Sequence, residues 1–129
     1  TLNTLFGAFT ARLQSVFPIL SMLGIAAIIV VVTAAGQKSL QATGLTLLLA
    51  VLLHNTLGYL LGYWGARRFG LPEQDCRTVA IEVGLQNAGL ASGLANQMGK
   101  LATVGVAPAL FGPLMNISGS LLASWWSRR

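Results

Sequence analysis

The sequence predicts an all-α integral membrane protein, a polytopic helical bundle. Three observations carry that prediction. Hydrophobic residues make up 54% of the 129 and charged residues only 9%, where soluble domains carry roughly 25% charged residues. A soluble fold of this size must cover most of its surface with polar groups, and this chain has too few. The apolar residues also fall into four runs long enough to cross about 30 Å of hydrocarbon. Charge collects in the joints between the runs. The net charge of +5 does not point to nucleic acid, because eight basic residues scattered among apolar runs form no basic face. The expected surrounding is a lipid bilayer. Cys76 is the one cysteine, which excludes an internal disulfide.

Taken in order, residues 1–12 open with a mildly amphipathic stretch of eleven and read as an interfacial lead-in or the tail of an earlier helix. They lack an initiator Met and the basic start of a signal peptide, which suggests a piece of a longer protein. The first crossing, segment A, is 13–37, and contains "VFPILSMLGIAAIIVVVTAA", with Pro18 near its start, where a missing N–H costs little. Gln37 and Lys38 close it as a short polar turn. Segment B, 39–66, is uncharged and long for one crossing, with Tyr59, Tyr63 and Trp64 expected near an interface. The charge-dense "RRFGLPEQDCR", 67–77, must lie outside the hydrocarbon. Segment C is 78–99. Segment D, 101–127, carries Pro108 and Pro113, and "SWWSRR" closes the chain as an interfacial anchor.

Four crossings place Arg12, Arg67, Arg68, Arg77, Arg128 and Arg129 on one side, and Lys38 and Lys100 on the other. That bias puts the C-terminus in the cytoplasm of a multi-pass protein of the inner or plasma membrane.

Segment C holds the chemistry. A carboxylate at membrane depth costs about 2.5–3.5 kcal/mol on insertion scales, so it faces protein or water and usually serves function. Glu82 and Gln86 share a face of an unbroken helix, and Asn87 follows directly. Gly84, Gly89 and Gly93 weaken that helix, each by about 1 kcal/mol relative to alanine. Glycines beside polar side chains in an apolar segment predict a broken helix. Carbonyls freed by unwinding, next to a carboxylate, suit a small hard cation such as sodium. The sequence shows no Cys/His ligand cluster, since Cys76 and His54 stand alone. The plain alternative has Glu82 pairing with Arg77 near the interface, Gln86 bonding to a neighbouring helix, and "GLASG" as packing. His54 reads either as a proton relay or as a packing residue. Asn116 and Ser118, after Pro113, either line a cavity or bond between helices. "GYLLG" is a second pair with GxxxG spacing.

At Glu82-Val83-Gly84-Leu85-Gln86-Asn87 the chain resembles the bile acid:sodium symporter family, whose hallmark is Glu-Val-Gly-x-Gln-Asn. The spacing to the preceding basic loop and to the following "NISGSLLA" fits as well. The resemblance covers the whole chain as the last four helices of a ten-helix transporter. It implies two inverted five-helix repeats, with segment A in a panel domain and 39–127 (39–66, a broken 78–99, and 101–127) in a core domain. Two broken helices would cross near the bilayer midplane and hold two sodium ions. Glu82 would serve both, Val83 and Leu85 would offer carbonyls, and Gln86 its side-chain oxygen. Asn87 would face the substrate, with Asn116 a further candidate for that cavity. The partners these residues need from the first repeat do not lie in this sequence, so an N-terminal half is an implied partner.

The function implied is sodium-coupled symport of an amphipathic organic anion, bile-acid-like or a smaller carboxylate, by alternating access. The alternatives are a proton-coupled or metalloid carrier of the same fold, or a structural membrane subunit. An enzyme is not expected, because no activated nucleophile lies near His54 in the sequence.

Overall fold

The computed structural model describes residues 7–128, with side chains given for residue 14 and from residue 16 onward. Those residues form an all-α bundle: α1 (Gly7–Ala35), α2 (Gln37–Arg68), α3 (Glu73–Gly84), α4 (Ala88–Gln97) and α5 (Val106–Trp126). Residues 16–35 of α1, all of α2 and all of α5 are long and apolar enough to cross a membrane. Helices α3 and α4, of 12 and 10 residues, reach only about 18 and 15 Å at 1.5 Å per residue.

Helix α1 starts at Gly7, inside the stretch expected as a lead-in; residues 1–6 of that stretch lie outside the described residues. Pro18 is therefore interior, about three turns in, and leaves the carbonyl four residues earlier without its helical donor. Nearly all of the described α1 surface is exposed, and Val32, 1% exposed, is its single buried side chain among those described. A helix apolar all round belongs against lipid or other helices.

The joint to α2 is Gly36 alone. Gln37 and Lys38, expected as the turn, already form the first turn of α2. Gly36 donates its N–H to the Val32 carbonyl at 2.8 Å and accepts from Leu40 N–H at 2.9 Å. A Cβ on Gly36 would strike the Val106 side chain, so glycine lets the joint seat against the start of α5.

Helix α3 packs chiefly on α2, and the glycines of "GYLLG" make the approach close. A Cβ at Gly58 would lie 3.1 Å from the Val83 carbonyl oxygen, and one at Gly62 would lie 3.0 Å from the Ala80 Cα. This is small-residue packing of the kind that joins membrane helices. "GLASG" differs: a Cβ at Gly93 would meet nothing within 4 Å and one at Gly89 only the Asn87 Oδ1, at 3.5 Å, so among the described residues neither glycine admits a close helix contact.

Helix α2 ends on Gly70, whose φ of +77° allows the Leu71 N–H to reach the Ala66 carbonyl and the Gly70 N–H the Arg67 carbonyl, a Schellman stop. Pro72 then caps α3, and Glu73 and Asp75 complement its N-terminal dipole. Glu73 is the hub of this end. It accepts from the Tyr63 hydroxyl at 2.7 Å, from Arg77 Nε at 2.8 Å and from Arg67 at 3.4 Å. Those donors, the Tyr63 hydroxyl foremost, hold its carboxyl below the ordinary glutamate range. Arg77 also donates to the Trp126 carbonyl at 3.2 Å and lies 5.8 Å over that indole, which ties α3 to the end of α5.

Candidate functional site at the helix break

Segment C is interrupted where its glycine and polar residues cluster. Helix α3 stops at Gly84, residues 85–87 are non-helical, and α4 starts at Ala88. The Leu85 N–H still bonds to the Ile81 carbonyl at 2.8 Å; the ladder then stops. Among the described residues, the carbonyls of Glu82, Val83, Leu85 and Gln86 accept no backbone hydrogen bond. Asn87 is the N-cap of α4, its Oδ1 accepting from Leu90 N–H at 2.8 Å.

The break is braced from α2 and α5. Asn55, only 3% exposed, donates from Nδ2 to the Gly84 carbonyl at 3.0 Å. Its Oδ1 accepts from the Ser118 hydroxyl at 2.6 Å. The Ser118 and Tyr59 hydroxyls are 3.0 Å apart, and both reach the Met115 carbonyl, at 3.2 and 3.3 Å. The ring of Tyr59 lies where a Cβ on Gly84 would be, and the Leu85 side chain lies 2.8 Å from where a Cβ on Gly119 would be. Tyr59 is thus part of the brace, half-buried against its neighbouring helices. Glycine at 84 weakens the helix and also admits the ring that supports its end.

Two cavities meet at the break. One, of about 470 Å³, lies between α1 and the break, lined by Ile25, Ile28 and Ile29 on one wall and by Glu82, Leu85, Gln86, Asn87 and Asn116 on the other. Five of the six residues singled out in the sequence therefore meet in one cavity. Val83 does not line it; its carbonyl faces Gly58 of α2. The other cavity, about 350 Å³, lies between α2, α4 and α5 and contains His54, Gln86, Asn87 and Phe111. Gln86, Asn87, Ala88 and Pro108 border both.

Glu82 is exposed into the larger cavity. Among the described residues it makes no ion pair or hydrogen bond. Arg77, its partner in the plain alternative, is held instead by Glu73 and Trp126. Gln86 does bond to a neighbouring helix, as the plain alternative has it: the Nε2 of His54, 32 residues earlier, lies 2.8 Å from the amide nitrogen and 3.0 Å from the amide oxygen. The sequence singles out His54 but not this pairing, and it assigns no role at the break to Asn55, which follows His54 directly, or to Tyr59. A polar residue in the apolar interior of segment B was the available signal for both His54 and Asn55. At the break, carbonyls at the C-terminal end of α3 adjoin the N-terminal end of α4. That places negative and positive dipole ends within one turn of each other, beside a carboxylate and three amide side chains.

The chain matches no protein-family model. It is similar to the uncharacterized sodium-dependent transporter YocS of Bacillus subtilis (strain 168), 36% identical over 120 residues that make up 92% of this chain and 37% of that protein. It is also similar to the probable chloroplastic sodium/metabolite cotransporter BASS2 of Oryza sativa subsp. japonica, 32% identical over 126 residues, 96% of this chain and 30% of that protein. The probable chloroplastic sodium/metabolite cotransporter BASS6 of Arabidopsis thaliana is 30% identical over 132 residues, covering 98% of this chain and 32% of that protein. The chain spans about a third of the length of these relatives.

Proposed function

Since the chain belongs to the bile acid:sodium symporter family, we propose that it forms the ion-binding part of a sodium-coupled carrier rather than an enzyme or a passive subunit. The observation that carries this reading is the break itself: four backbone carbonyls without backbone partners, beside a carboxylate that no basic residue neutralises among the described residues. Oxygen donors of that kind suit a small hard cation. In this reading Glu82 serves two sodium ions, Val83 and Leu85 contribute carbonyls, and Gln86 contributes its side-chain oxygen. An N-terminal half supplies the remaining ligands and a matching broken helix. The chain is then the last four crossings, with α3 and α4 together making one of them, and the C-terminus cytoplasmic.

The substrate is an organic anion in the cavity between α1 and the break. The N-terminal end of α4 faces its negative charge, Asn87 and Asn116 offer amide groups, and the isoleucines of α1 meet its apolar body. Sodium neutralises Glu82 and ties the unwound backbone together, so substrate affinity depends on sodium, and sodium affinity on substrate, by the same factor. Rocking of α1 against the other helices would open the cavity to alternate sides.

The test is a sodium titration of the intact transporter, followed by intrinsic tryptophan fluorescence and thermal shift, with potassium as control. Sodium-specific stabilisation that disappears in Glu82→Ala and Gln86→Ala, together with sodium-dependent uptake, supports the assignment. A response to pH in place of sodium would move the coupling to protons on Glu82. Sodium responses of wild-type size in both variants would sink it.

A further inference from the structure

We propose that His54 is a positioning residue that sets the orientation of the Gln86 carboxamide; this rests on the reading of Gln86 as an ion ligand. A glutamine side chain can present either its oxygen or its nitrogen in a given direction, and only the oxygen binds a cation. Residues 85–87 are non-helical, so no regular backbone constrains which atom points where.

The contact with His54 supplies the constraint that the backbone does not: one ring nitrogen touches both polar atoms of the carboxamide. His54 Nε2 lies 2.8 Å from the Gln86 amide nitrogen and 3.0 Å from its oxygen. Either the amide N–H donates to the ring or the ring N–H donates to the amide oxygen, and a carboxamide oxygen, with two lone pairs, keeps at least one for an ion in both arrangements. No other side chain competes, because the remaining wall of this cavity is apolar apart from Asn87, whose oxygen already caps α4.

The ring is itself held in place. Its centroid lies 5.6 Å from that of Phe111. The next residue, Asn55, fastens α2 to the Gly84 carbonyl, fixing the distance between the His54 backbone and the break. Gln86 borders both cavities, so His54 acts from one side of the break while the ion and substrate lie on the other. A partner of a metal ligand in this position typically changes metal affinity by about 10–100-fold when removed.

The experiment is the sodium titration of the intact transporter with His54→Leu, His54→Asn and His54→Gln. Leucine makes no hydrogen bond and asparagine is too short to reach Gln86, whereas the glutamine carboxamide, which can donate or accept, reaches about as far as Nε2. His54→Leu and His54→Asn should raise the sodium half-saturation about tenfold, with His54→Gln restored to within about twofold of wild type. Should His54→Leu fail to fold, His54→Asn carries the test. Wild-type half-saturation in His54→Leu and His54→Asn, or a His54→Gln as weak as His54→Asn, would overturn the proposal. Glu82→Ala in the same titration separates the two readings. If it loses the sodium response while the His54 variants keep theirs, the ion site stands and the positioning role falls. If it keeps the response, both fall.

Discussion

Replacing Asn55 by leucine tests the brace that holds the helix break. The two side chains are similar in size, so the main loss is polar. Asn55 supplies the Nδ2 donor for the Gly84 carbonyl, 3.0 Å away, and the Oδ1 acceptor for Ser118, 2.6 Å away. At 3% exposure, water has no ready access to replace it. The Gly84 carbonyl would be left without a partner, at a cost of about 1–3 kcal/mol. Ser118 keeps the Met115 carbonyl and Tyr59 as partners, so its loss is about 0.6 kcal/mol, typical of side-chain bonds between membrane helices. The sum is about 2–4 kcal/mol. Ser118→Ala leaves the Gly84 bond intact and should cost about 1 kcal/mol. The double variant should show a coupling of about 0.6 kcal/mol, and no more than about 1.7. Reversible unfolding of the intact transporter in mixed micelles, titrated with SDS and followed by tryptophan fluorescence, measures all three. An Asn55→Leu within about 0.5 kcal/mol of wild type, or a Ser118→Ala costlier than Asn55→Leu, would show that the break is held by something else.

Gly84→Ala should destabilise by about 1–3 kcal/mol, because a Cβ there collides with the Tyr59 ring and a packed interior yields only at that kind of cost. In a Tyr59→Leu background the same change should cost less than about 1 kcal/mol; equal costs in both backgrounds would refute the collision. Glu73 makes a prediction about acid. Its carboxyl is held below the usual range by Tyr63, Arg77 and Arg67, so its contribution is present at neutral pH and fades as the pH falls through the depressed value. Glu73→Gln should flatten the acid side of the melting-temperature profile while changing little of its shape above neutrality. An unchanged acid limb would mean that Glu73 contributes nothing to it.

Much of this architecture is legible in the sequence, since membrane helices are specified by length and polarity along the chain itself. The apolar runs marked α1, α2 and α5. The cluster of Gly84, Gln86 and Asn87 marked the place where segment C could not remain helical, and the chain breaks there. Boundaries were less legible. The turn after α1 falls on Gly36, because that glycine must pass the start of α5, and nothing local to Gln37 and Lys38 reveals such a neighbour. Tyr59 reads in the sequence as an aromatic near an interface, and nothing local to it shows that it packs against Gly84 and Gly119, which leave room for it.

The site divides along the same line. Glu82, Gln86 and Asn87 stood out because a polar group in an apolar segment is costly wherever it lies, a property of the residue and its immediate surroundings. Which residues pair was not legible, although His54 and Ser118 stood out singly. His54 meets Gln86 across 32 residues and Asn55 meets Ser118 across 63, and sequence spacing within one helix says nothing about which faces of two helices meet. The sequence by itself determined the membrane class, the existence of the break and the polar groups gathered at it. Tertiary packing alone decided which side chains brace the break, that Arg77 is committed to Glu73 and so leaves Glu82 without a cation, and that Gln86 sits between two cavities. Those outcomes depend on helix rotation and approach, which are set by small residues such as Gly58 and Gly62 acting together with the side chains they admit.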